Sequence, residues 1–211
     1  MKTNKEINEE TDTKSLKSIM NHYVETSSLS RALLCTIFFV IMMWLIDYSP
    51  IGVAGLLEVT GGANILDFEC AYSVEYGYSM LEALGEAGRT FHLTKIMPLD
   101  IFFPLSLMLF TSGWISYFLK PLTKKNSIFR LLPLFSVLDM LLDWSENIGV
   151  TAMLLAYPKR LSVACRLTSL ISTIKYACVL TVLIIFTGCL ICFLFRKIMS
   201  FVEKNLQKEA I

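Results

Sequence analysis

Apolar residues gather in four long blocks separated by polar and charged segments, at about residues 32–50, 98–119, 131–157 and 171–195. Each comes close to the roughly 20 residues that a helix needs to cross a bilayer. The pattern predicts an all-α, polytopic membrane protein built as a four-helix transmembrane bundle. The first block is the least secure, because its charge-free part ends at Ile46, just before Asp47. A signal peptide is the competing reading there, set against the long polar stretch that precedes it.

Three domains follow: a polar N-terminal arm over residues 1–30, the membrane domain over 31–196, and a polar tail over 197–211. The arm has mixed charge and no periodic apolar pattern, so it reads as a solvated segment. Within it, LKSIMNHYV has the makings of a turn or two of amphipathic helix.

The loop between blocks one and two has its own periodicity. After the turn-rich VTGGAN, a helical wheel puts Met80, Leu84, Ala87 and Phe91 on one side and Glu82, Glu86 and Arg89 on another. That predicts an amphipathic helix lying at the outer interface, with Tyr72, Tyr76 and Tyr78 as headgroup-level anchors. Gly85 and Gly88 are poor helix formers that allow close approach to a neighbouring helix. A solvated linker helix fits the same pattern.

The third block breaks the rule of its surroundings. It reads VLDMLLDWSENIGV, with Asp139, Asp143 and Glu146 inside an apolar run. At 100° per residue these three fall on one narrow face with Ser136, Asn147 and Val150. An ionised carboxylate facing lipid costs at least about 2.5–3.5 kcal/mol, so the stripe must face the bundle interior or a wet cavity. Counted from Leu131, Asp139 lies roughly 12 Å deep and Asn147 roughly 24 Å deep, at 1.5 Å per residue. Asp100 at the start of the second block belongs to the same outer half. In the fourth block Thr168, Ser172 and Lys175 share a side, and Lys175 is the natural counter-charge for Asp143 or Glu146. Arg89 and His92, at the mouth, are second candidates.

Composition supports a membrane setting. Of 211 residues 55% are hydrophobic and only 18% charged, with a mean hydropathy of +0.58, more apolar surface than a soluble domain of this size tolerates. The net charge of +1 hides a segregation. Lys2, Lys5, Lys14, Lys17 and Arg31 precede the first block; Lys120, Lys124, Lys125 and Arg130 lie between the second and third; Arg196, Lys197, Lys204 and Lys208 follow the fourth. The first loop is acidic by contrast. Lys159, Arg160 and Arg166 dissent, but the positive-inside rule places both termini in the cytoplasm, with the cell membrane as the expected location. No basic block with interleaved aromatics is present, which leaves nucleic-acid binding without support.

Six cysteines raise a redox question. Cys189 and Cys192 form a C-x-x-C near the inner end of the fourth block, where an apolar setting makes inert thiols the expectation. Cys70 and Cys165 both fall in outer loops, a placement that permits a bridge without fixing one. Cys35 and Cys178 read as core packing. Metalloprotease, nucleophile-elbow, phosphate-loop and dinucleotide motifs are all missing, so no cofactor is called for. Two histidines exclude a histidine-rich metal site; carboxylate ligation of a hard cation stays open.

The segments LEALGEAGRTFHLTKIMPLDIFFP, LLPLFSVLDMLLDWSENIGVTAMLLAYP and SLISTIKYA together resemble a group of small, uncharacterised four-span integral membrane proteins of microbes. The matching positions are Gly85, Gly88, Arg89, Asp100, Pro104, Asp143, Glu146, Asn147, Pro158 and Lys175, within about residues 67–195. Phe91 stands where that pattern has a tyrosine. The resemblance implies a topology and a set of positions, and no reaction.

The leading expectation is an outward-facing intramembrane site lined by Asp100, Asp139, Asp143, Glu146, Asn147 and Lys175, with Arg89 at its mouth. It would bind or translocate a proton, a cation or a lipid-like small molecule. Four spans are few for transport, so a homo-oligomer among membrane lipids is expected. Two alternatives stand beside it: an intramembrane enzyme working on a lipid or isoprenoid by Asp/Glu acid–base chemistry, and a structural or assembly subunit.

Overall fold

A computed structural model describes residues 4–209, with side chains from residue 14 to 207. Among the described residues all regular structure is helical. The helices are α1 (Asn4–Glu25), α2 (Leu29–Met43), α3 (Val53–Thr60), α4 (Val74–Ala83), α5 (Gly85–Phe91), α6 (Met97–Leu122), α7 (Leu134–Ala156) and α8 (Ser162–Glu209). Three helical stretches are long and apolar enough to cross a membrane: Leu29–Asp47, Gly85–Leu122 and Ser162–Gln207.

The helix of the third apolar block, α7, is not one of these three. It carries Asp139, Asp143 and Glu146 in 23 residues, and no stretch of crossing length escapes all of them. Its polar stripe needs neighbours, and it has them: α7 packs along α8 and against α6, while α6 also touches α2 and α8. Gly149 sets the closeness of the first contact, since a Cβ there would collide with the Thr168 side chain.

Two widened, π-helical turns interrupt the apolar rods, at Trp44–Tyr48 and His92–Ile96. The second stands just before Pro98, which has no N–H to give and whose ring would clash with the carbonyl one turn back in a regular helix. The expected fourth span and tail are one continuous helix. At 1.5 Å per residue α8 is about 72 Å long, well over twice the hydrocarbon thickness.

The first loop departs from its helical wheel. Gly85 adopts φ +62°, a left-handed conformation that splits the expected helix into α4 and α5. The buried stripe is Val74, Gly77, Tyr78, Leu81, Leu84 and Gly88, while Ala87 is exposed. Gly88 does permit close approach, against Thr60 of α3; Gly85 faces open space. Of the three expected tyrosine anchors only Tyr76 is exposed. Tyr72 and Tyr78 are core residues, and the Tyr78 hydroxyl accepts from the Leu161 amide at 2.5 Å.

The N-terminal segment also corrects its expectation. Its last turns do not lie free in water: Met20 and Val24 are buried, Val24 against the C-terminal half of α6. Full burial of a valine contributes roughly 1.5–3 kcal/mol. Polar contacts fix the register: Glu25 accepts from Arg130 at 2.8 Å, and Asn21 donates to Asn126 at 2.7 Å. Arg130 is itself 2% exposed, so this ion pair is more than a surface ornament. Sequence periodicity missed it because Val24 is buried by a partner helix, with no continuous apolar stripe of its own.

Candidate functional site

The α7 stripe folds as the sequence requires: Ser136, Asp139, Glu146 and Val150 are buried, with Asp143 and Asn147 partly so. Across from it, α8 presents Thr168, Ser172 and Lys175, all buried. Lys175 pairs with Glu146 and stands 3.5 Å from Asp143. Ser172 donates a second hydrogen bond to Glu146. Asn147 donates to Asp143 Oδ1 at 3.3 Å and to the Asp100 carbonyl at 3.1 Å, tying α7 to α6. Glu146 and Asp143 thus share one cation, Lys175, with Ser172 adding a donor to Glu146 and Asn147 one to Asp143.

In front of this group is a cavity of about 250 Å³. Asp100, Asp139, Asp143 and Lys175 line it, together with Asp47 and Asp67, which were not assigned to a site from the sequence; Glu146 and Asn147 are not among its lining residues. Asp47 arrives on the widened turn that ends the first apolar rod. Asp67 lies in a single 3-10 turn, Leu66–Phe68. Three side chains of α8 stitch that loop down: Tyr176 donates to the Asp67 carbonyl at 3.2 Å, Thr173 accepts from the Ala71 amide at 3.0 Å, and Ser169 donates to the Tyr72 carbonyl at 2.9 Å. The available signal for Asp67 was an acid inside the apolar run ILDF.

The acceptors in this cavity outnumber its donors. Asp67 and Asp100 both line it, and no protein donor reaches either Asp67 oxygen. Asp139 Oδ1 is likewise unpartnered, although Asp139 is 6% exposed. Buried carboxylates are found paired or protonated, because an isolated one is very costly. This cavity therefore has room and need for positive charge. No group of three or more His, Cys, Asp or Glu among the described residues converges in the geometry that would hold a metal ion.

Arg89 is not at this mouth. It donates to the Leu81 carbonyl at 2.9 Å and stacks 3.9 Å over the Tyr157 ring, clamping α5 to the end of α7. His92, the other second candidate, is fully buried with no hydrogen-bond partner on either ring nitrogen. Neither residue pairs with the stripe. The thiols take no part: all six cysteines are free, including Cys70 and Cys165, and Cys189 is packed in the aromatic inner core with Phe118.

Outside the acid cavity, an apolar groove of about 750 Å³ runs between α6 and α7. Met97, Ile101, Trp144, Ile148 and Leu155 form its walls, and Asn147 stands at the boundary between groove and acid cavity. Comparison with protein-family models, with curated proteins and with solved structures finds no match. The site's own geometry has to carry the functional reading.

Proposed function

We propose that the chain is a multi-pass integral membrane protein in which α2, α6, α7 and α8 all cross the bilayer, and that its acid-lined cavity binds or translocates a small positively charged species. The α7 helix is carried across by its neighbours, its carboxylates turned to α8 and α6. Lys120, Arg130, Arg31 and Arg196 gather near the end of the bundle where α1 docks, which favours that end as cytoplasmic and makes the cavity outward-facing. The α4–α5 segment then lies at the outer interface.

The single observation that supports the reading is the set of Asp47, Asp67, Asp100, Asp139 and Asp143 around one cavity with Lys175 as its only lining cation. A proton or a cation supplies what the unpartnered oxygens lack. Infrared spectroscopy of the purified full-length chain tests this. A carboxyl band should respond to pH or to added sodium or potassium and be lost in Asp100→Asn/Asp143→Asn. Carboxyl bands indifferent to both would sink the reading.

The groove between α6 and α7 favours a second reading, an intramembrane enzyme acting on a lipid or isoprenoid. An acyl chain in that groove would bring its head to Asn147 and the carboxyl of Asp143. Under this reading a lipid co-purifies with the native protein, and Asp143→Asn abolishes turnover while retaining the lipid.

A further inference from the structure

Below the acid cavity the polar character of the interior does not stop. One helical turn inward from Asp139 on α7 is Ser136, 1% exposed, which accepts a hydrogen bond from Thr111 of α6 at 2.8 Å. Next to Thr111, Ser112 is 2% exposed and shares a hydrogen bond with the Tyr23 hydroxyl of α1 at 3.0 Å. One turn further, Ser116 is fully buried and its hydroxyl has no partner. Ser116 and Tyr23 both line a second, smaller cavity of about 90 Å³, together with Ser27 and Arg31 at the inner end. From Asp100 to Ser116 the column runs about 24 Å along α6, most of a hydrocarbon core about 30 Å thick.

We propose that this column is a proton path joining the outer acid cavity to the inner one, with Tyr23 of the N-terminal helix as its inner gate. The inference rests on the reading of the outer cavity as a cation site and names the cation. Each hydroxyl is both donor and acceptor, so it takes a proton on a lone pair and passes its own hydrogen to the next oxygen. One proton enters at the outer carboxylates and one leaves at the inner cavity; no other bond is made or broken, and the rotors turn back to reset. A metal ion has no such passage, because the Thr111–Ser136 and Ser112–Tyr23 oxygens are already in direct hydrogen-bonding contact. The two bonded pairs are separate, since Thr111 and Ser112 are successive residues of α6, so the path requires a bridging water at three steps: Asp139 to Ser136, Thr111 to Ser112 and Ser112 to Ser116. The two unpartnered groups, Asp139 above and Ser116 below, stand where the path opens into each cavity.

The test uses the full-length chain in liposomes with an internal pH dye and a potassium diffusion potential, beside infrared titration of the carboxyl bands in the same preparations. The native chain should carry protons faster than empty vesicles, and Tyr23→Phe and Ser112→Ala/Ser116→Ala should each fall to the empty-vesicle rate while keeping the native carboxyl titration. A titrating carboxyl without proton flux, or flux unchanged in both hydroxyl variants, overturns the path and leaves the outer site standing. Absence of any titrating carboxyl in the native chain overturns the outer site, and the path with it.

Discussion

Glu146 of α7 and Lys175 of α8 form an ion pair in which the carboxylate is fully buried and the lysine is 8% exposed. A pair so enclosed does more to fix the two helices in one register than to stabilise them, because desolvation offsets most of the attraction.

Removing one partner alone should therefore be severe. Lys175→Met leaves Glu146 buried without a counter-charge, and the expected loss is about 3–5 kcal/mol. Glu146→Gln/Lys175→Met together should recover most of it. Thermal unfolding of the three proteins in one detergent reads the difference; a single variant as stable as the native chain would show that the pair is not enclosed in solution.

The contact between Gly149 and Thr168 makes a steric prediction on the same interface. Gly149→Ala forces its methyl onto the Thr168 side chain. Overpacking of this kind costs about 1–3 kcal/mol. Thr168→Ala in the same chain should give part of that back, measured by the same unfolding assay.

The unpartnered Asp67 carboxyl, on the same cavity as Asp100, predicts a gain. Asp67→Asn removes one of the cavity's carboxyls and puts a group with two N–H donors in its place. Stability should rise by about 0.5–2 kcal/mol, while the response of the carboxyl bands to added cations weakens. A fall in melting temperature would count against an uncompensated Asp67 carboxyl at this cavity.

Docking of α1 should depend on pH with a definite sign. The hydrogen bond from Arg130 holds the Glu25 carboxyl below its ordinary value, which is about 4.3. The contribution is then fully present above that value and is lost as the pH falls through the lower, folded-state value. Amide protection in residues 14–25, taken relative to the intrinsic exchange rate at each pH, should fall in acid in the native chain. In Glu25→Gln it should be lower at neutral pH and should change less on acidification.

The four helical blocks and the inward face of α7 were legible because both follow from periodicity. Lys175 was legible as well, since a lone cation on a polar face opposite an acidic stripe has few other places to go. What escaped was set by partners. Val24 and Tyr23 look like tail residues until α6 is placed beside them. Asp67 looks like a loop acid until Ser169, Thr173 and Tyr176 pin its loop over the cavity. Arg89 was misread for the same reason: as an exposed charge near a mouth it suggests a ligand, but Tyr157 takes its face. The break at Gly85 was hidden because glycine permits a helix as readily as it ends one, and only its positive φ decides.

The unbroken run of α8 has a mechanical meaning. Lys175 and the stretch beyond Arg196 belong to one rod, and Lys175 lies about 48 Å from Gln207 along it at 1.5 Å per residue. The basic stretch at Lys197 and Lys204 and the ammonium group of the ion pair are therefore parts of one continuous helix. A load applied near Lys197 would reach the Glu146 pair through continuous helix backbone, with no loop between them to absorb it.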